Sequence, residues 1–215
     1  MLILIDNGHG LMTPGKRSPD GKFLEYAYTR EIATRIVADL TDRGYNAQLL
    51  VPETEDSPLS ERVRRINAAC ISQQSSPAPH QSSPARPGIS PTGHPNVILI
   101  SIHVNAAGNG TKWLNATGWS CYTSKGQTQS DKLADCLYQA ATKNFPGKRI
   151  RTDYSDNDPD WEENFYILRH SLCPAILTEN FFMDNHSDLE YLQSRTGKQA
   201  IVDTHVEGIT EYLSR

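Results

Sequence analysis

Two histidines in this chain each sit at the end of a short apolar run. His9 lies between Gly8 and Gly10, after Leu2-Ile3-Leu4-Ile5, and His103 ends the run Asn96–His103, with Asn105 just beyond it. A third apolar run, Pro174–Asn180, ends with an acid, Glu179. Apolar runs of this length between turn residues read as strands buried on both faces of a parallel sheet. Such a sheet binds ligands outside the carboxyl ends of its strands. His9, His103 and Glu179 are therefore expected on one sheet edge, although none neighbours another in sequence. The glycines beside His9 leave backbone that a metal or substrate can approach closely.

Amide hydrolysis at neutral pH needs a strengthened nucleophile and a polarised carbonyl. A zinc ion with three protein ligands and one open position supplies both, and two histidines with one carboxylate are a set that does so. His9 and His103 are the expected histidines. The carboxylate should begin a helix near the end of the first strand, and Glu25 fits, because the loop Gly10 to Gly21 folds the chain back over the sheet edge. Glu31 competes from further along the same helix. Taken singly, each residue has a plain structural explanation: His9 fills a glycine turn, and Glu25 suits the positive end of a helix.

The elements that must position these groups follow from periodicity. Residues 24 to 43 carry Leu24, Ala27, Ile32, Ile36, Val37 and Leu40 at helical spacing, ended by Gly44. Tyr45 to Val51 reads as a strand, and Ser57-Pro58 opens a helix through Leu59, Val63, Ile66 and Ala69. From about Ser72 to Pro95 the chain turns to Ser, Pro, Gln, His and Gly, which predicts a long insertion loop with His80 and His94 in solvent. A strand at Gly118 to Thr123 and a helix from Gln129 to Lys143 follow. Lys148 to Asn164 reads as a surface loop able to cover a cleft, and Phe165 to Leu168 as strand-like. After the Glu179 strand come a turn at Asp184–Asp188, a short helix around Leu189 and Leu192, and a final amphipathic helix through Leu213. The expected fold is α/β: one domain over 1–215, with a mostly parallel central sheet of about six strands and helices on both faces.

The 215 residues suffice for one such domain with a sizeable core. A net charge of −4 and the lack of a Lys/Arg run exclude a phosphate-tracking surface, so no nucleic-acid partner is expected. The densest basic cluster, Arg62, Arg64 and Arg65, reads as a solvated helix face. No apolar stretch is long enough for a membrane span. Cys70, Cys121, Cys136 and Cys173 form no Cys-x-x-Cys pair and read as buried free thiols. His170 is expected to be a hydrogen-bonded structural residue, with the cleft as its alternative, and His186 and His205 are given no chemistry. No signal peptide is visible at the start, so the expected location is cytoplasmic as synthesised, or the cell wall after lysis or removal of a leader.

The motifs together resemble the zinc-dependent N-acetylmuramoyl-L-alanine amidases of the type 3 family. The resemblance rests on Asp6-Asn7-Gly8-His9-Gly10, Glu25, Ser101-Ile102-His103-Val104-Asn105-Ala106 and Glu179, which occur in the family's order. It implies one catalytic zinc ion on His9, Glu25 and His103, with Glu179 as the acid/base. The substrate it implies is the amide between N-acetylmuramic acid and L-alanine, in peptidoglycan or muropeptides. It also implies substrate contacts at Asn105 and Arg169 and a structural role for Arg62. Asn7, Leu11, Tyr26 and Asn180 depart from the family pattern, and none is an expected ligand. Two rivals remain: a zinc peptidase acting on the stem peptide, and a muropeptide-binding protein without catalysis, which should lack the late-strand glutamate. A monomer is the expected state.

Overall fold

A computed structural model of the chain describes residues 1–11, 13–74 and 96–215. The elements are β1 (Leu2–Asn7), α1 (Glu25–Asp42), β2 (Asn46–Leu49), α2 (Leu59–Gln74), β3 (Val97–Asn105), β4 (Ser120–Thr123), α3 (Gln129–Asn144), β5 (Trp161–Glu162), α4 (Tyr166–His170), β6 (Ala175–Phe182), α5 (His186–Gln193) and α6 (Arg195–Ser214). The strands form one sheet in the order β2-β1-β3-β6-β4-β5. Neighbours run parallel except β4, which is antiparallel to β6. The expected α/β sheet of about six strands is thus present.

Alternation along the central strands sorts the core into two layers. Ile3, Ile5, Ile98, Ile100 and Ile102 share one apolar cluster with α1, α3, α5 and α6 residues such as Ile32, Leu137, Leu192 and Ile201. Leu2, Leu4, Val97, Leu99 and Leu177 share the other with Val63, Ile66 and Cys70 of α2 and Ile167 and Leu168 of α4. Helices therefore cover both faces. On the first face, α3 and α6 pack closely, and a Cβ on Gly208 would come within 2.7 Å of a Leu137 methyl. The chain leaves β1 toward β2 over one face and returns to β3 over the other. This makes the carboxyl end of the β1/β3 pair a topological switch point, where sheets of this kind open a crevice.

Several expectations change in detail. Residues 72–74 continue α2, while the rest of the predicted insertion, with His80 and His94, lies outside the described residues. The run Phe165–Leu168 is helical rather than strand-like, since Tyr166–His170 form α4. Residues 148–164 are not all loop: Trp161–Glu162 pair with β4, and Ile150 bridges to Trp119. The third run continues past Asn180 to Phe182 through a register shift opposite His103–Asn105, where Phe181 takes φ +64°. Cys70, Cys121 and Cys136 are buried free thiols as expected, and Cys173 is half-buried.

Candidate metal centre and active-site cleft

The turn after β1 is built around His9, whose backbone lies in the left-handed region at φ +64°. A side chain there carries a conformational cost, so neighbouring contacts must hold it. Arg62 of α2 supplies them: its guanidinium donates to Ser57 O at 2.9 Å, Asn7 O at 3.0 Å and His9 O at 3.1 Å. It also pairs with the buried Asp6 carboxylate, whose other oxygen accepts from Ser101 Oγ at 2.6 Å. Arg62 is only 2 % exposed, so it is no solvated helix face; its basic neighbours Arg64 and Arg65 instead bond Glu61 near the surface.

His103 arrives on β3, on the same face as Ser101 and with Glu179 of β6 as its register partner. Glu25, the first residue of α1, reaches the same point from the other layer, where it is 1 % exposed. Its Oε1 lies 3.3 Å from His9 Nε2 and 3.1 Å from His103 Nδ1, and it accepts from the Val104 N–H at 3.1 Å. The imidazole planes of His9 and His103 are nearly perpendicular, at 88°. His9 Nε2 and Glu25 Oε2 are buried without hydrogen-bond partners.

This donor set suits a small ion. Donors sharing a tetrahedral zinc ion at bonds of ~2.0–2.1 Å stand ~3.3 Å apart, close to the 3.1 and 3.3 Å measured here. All three donor atoms lie within 4.8 Å of one another, the one such group of His, Cys, Asp or Glu found among the described residues. Two imidazoles and one carboxylate, with two buried atoms left unsatisfied, are the residues expected to hold zinc. Glu31 is excluded from the group, since it is exposed and pairs with Arg35 and Lys198.

The charges are strongly coupled. Burial opposes ionisation of Glu25, but hydrogen bonds and charge from His103 and His9 outweigh it and hold the carboxyl far below the usual range. Burial likewise disfavours a charged His103, yet Glu25 beside it keeps the imidazole above its ordinary value. Glu179 behaves in the opposite way. Burial pushes it up to about 7, with the Glu25 charge adding and His103, Lys16 and Arg151 opposing. Its Oε2 is buried and unpartnered.

His9, His103 and Glu179 line a cleft of about 360 Å³ between the sheet edge, the start of α2 and α4. Apolar walls come from Pro58, Leu59, Phe165, Ile167 and Leu177, and polar groups from Lys16, Asp56 and Tyr166. Asn105 and Arg169 do not line it. Asn105 turns its side-chain oxygen to the Ala106 N–H at 2.8 Å, and Arg169 is exposed in a separate depression with Ser124, Lys125 and Asn164. None of residues 148–164 lines the cleft, so that loop does not cover it. His170 is exposed, its ring 4.3 Å from Tyr166. His186 stacks on Trp113 at 3.7 Å, and His205 is buried under the sheet.

Lys16, Phe165 and Tyr166 were missed by sequence reasoning. Lys16 belongs to the loop expected to fold over the edge, which was a usable signal; the aromatic pair carried none once its segment was read as a strand.

Comparison with known proteins agrees with this geometry. The chain is 28% identical over 208 residues to the N-acetylmuramoyl-L-alanine amidase CwlM of Bacillus licheniformis, covering 96% of this chain and 66% of that protein. It is 26% identical over 219 residues to the endolysin of Bacillus phage SPP1, covering 99% and 66% respectively. The chain thus spans about two thirds of the length of these relatives. Its fold is that of the N-acetylmuramoyl-L-alanine amidase from Clostridium difficile 630, with a TM-score of 0.74 at 24% identity over 99% of this chain and 96% of that one. The sequence profile of the type 3 amidase family, described as N-acetylmuramoyl-L-alanine amidase, matches residues 3–211, and the chain belongs to that family.

Proposed function

We propose that this chain hydrolyses the amide between the lactyl group of N-acetylmuramic acid and L-alanine, in peptidoglycan or in muropeptides, using one zinc ion on His9, Glu25 and His103. The observation that carries the reading is the convergence of those three donors, with buried unsatisfied atoms, at the cleft that His9 and His103 line together with Glu179. A zinc ion there supplies Lewis-acid polarisation of a carbonyl and acidifies water to ~7.

The protein groups have separate tasks. Glu25 stays ionised, and its hydrogen bond from the Val104 N–H fixes the carboxylate between the two imidazoles. Glu179 takes a proton from the attacking water and returns it to the departing L-alanine amine. Burial raises its carboxyl above the usual carboxylate range, which suits a group that must both take and return a proton. The apolar walls exclude bulk water from the sheet edge, which strengthens each charge interaction inside. The same reading assigns residues 1–215 to one monomeric catalytic domain that meets the wall polymer or its soluble fragments through this cleft. Its place of action is the cell wall; among the described residues no helix is long and apolar enough to cross a membrane.

Mass spectrometry of a digested muramyl-peptide tests the bond. The expected products are an intact peptide with a free L-alanine amine and an unsubstituted lactyl group; cleavage within the stem peptide would replace this reading with a peptidase. Elemental analysis of variants tests the roles. Glu179→Ala should keep one zinc per chain while turnover falls by ~10²–10⁴, whereas His9→Ala and His103→Ala should lose the metal. Turnover by metal-free protein in the presence of chelator would refute the zinc assignment.

A further inference from the structure

We infer that Asp158 and Asp160, in the segment between α3 and β5, hold a hard divalent cation of the calcium class at a site separate from the zinc donors. Asp160 is 1 % exposed. Its Oδ2 accepts from Thr123 Oγ1 of β4 at 2.5 Å, and Asp158 Oδ2 accepts from Gln127 Nε2 at 2.8 Å. Each carboxylate is thereby oriented by one oxygen. The other oxygen, Oδ1 in both residues, is buried and has no partner.

The two residues are separated only by Pro159, and neither Oδ1 meets a donor. Neighbouring buried carboxylates do not both ionise unless a positive charge stands with them. Among the described residues no Lys, Arg or His forms an ion pair with either carboxylate. Asp131, Asp153, Asp156 and Glu162 add to the negative field around the pair, and none of these acids forms an ion pair among the described residues. Arg151 lies instead over the rings of Trp161 and Phe182. Burial, with the Asp158 and Asp131 charges, pushes Asp160 up to about 7 against the Thr123 hydrogen bond, as expected of a pair that lacks its counter-charge.

Calcium suits the surroundings. It accepts six to eight oxygens in flexible geometry, so an irregular loop can supply a few and water the rest. Asp158 borders an open cavity of about 480 Å³ with Asn157, Tyr154 and Asp135, which leaves room for that water. With two protein carboxylates the expected dissociation constant is in the range of ~10⁻⁴–10⁻³ M. The ion would tie the end of β4 to the start of β5 and so clamp the sheet edge farthest from β2.

Terbium emission tests this on zinc-loaded protein, because Trp161 adjoins Asp160 and can sensitise a bound lanthanide. Emission should saturate at one equivalent and be displaced by millimolar calcium. Calcium should also raise the Tm. Asp160→Asn, and the more accessible Asp158→Asn should the first fail to fold, should each weaken binding by about tenfold or more with zinc content unchanged. Trp161→Phe should weaken the emission excited at the red edge, where tyrosine does not absorb, and keep the calcium-dependent Tm rise. Red-edge emission unchanged in Trp161→Phe, or a wild-type Tm unmoved by ~10 mM calcium, overturns the proposal. So does an Asp160→Asn variant more stable than wild type even in saturating calcium, since that marks a pair sharing one proton.

Discussion

Gly8 and His103 are 95 positions apart, and their contact sets the geometry of the candidate metal centre. A Cβ added to Gly8 would lie 2.3 Å from His103 Cε1 and 2.6 Å from its Nδ1, so either the ring or the end of β1 would have to move. Gly8→Ala should therefore weaken zinc binding by ~10–100-fold, as loss of a group that orients a ligand does; residual metal after dialysis against graded chelator measures it. Wild-type retention of zinc in that variant would mean the ring is not held by this contact. The clustered donor side chains were legible in the sequence because strand ends advertise them: His9 and His103 each follow an apolar run, and Glu25 follows a loop rich in glycine. Burial and partners were not. Arg62 read as a surface residue since its partner Asp6 lies 56 positions away, and the sequence could not say that Asn105 turns to the Ala106 N–H or that Arg169 sits in a separate depression, because exposure and side-chain direction depend on how this chain packs.

At the scale of elements, α2 acts as a brace for the β1 turn. Asp6 and Arg62 form a buried ion pair, each side chain 2 % exposed, and Arg62 also serves three backbone carbonyls. Arg62→Met leaves the Asp6 charge uncompensated and should cost ~3–5 kcal/mol, whereas pairing it with Asp6→Asn should restore part of that loss. Urea denaturation of the single and double variants distinguishes the two; equal losses would show that the carbonyl contacts matter more than the charge. Long elements were readable from periodicity, as in α1 and β3. Short ones were not: β5 has two residues, and α4 has five whose apolar run cannot separate strand from helix. The shift at Phe181 also escapes, because an inserted residue changes pairing without changing composition.

The whole molecule carries a pH-sensitive joint between its helical layer and its sheet. His205 of α6 is fully buried, with Nδ1 2.7 Å from Ile201 O and Nε2 2.9 Å from Thr178 Oγ1, next to Glu179. Burial chiefly lowers it to about 4 from an ordinary 6.5, so the folded protein holds it neutral. The unfolded chain binds the extra proton first. Stability should therefore be at its full value above pH ~6.5 and fall by about 3 kcal/mol as the pH drops toward ~4. Comparing Tm against pH for wild type and His205→Gln checks this, and parallel curves would assign the acid loss elsewhere.

The order of strands in space differs from their order in time. Among the described strands β6 comes last in the chain, yet it lies between β3 and β4. Until it inserts, β3 has an open edge, the sheet is split, and the three proposed ligands have no proton carrier beside them. Closing the sheet and bringing Glu179 beside the proposed ligands are one event, so a chain cut before β6 should hold none of the proposed proton-transfer machinery at the cleft.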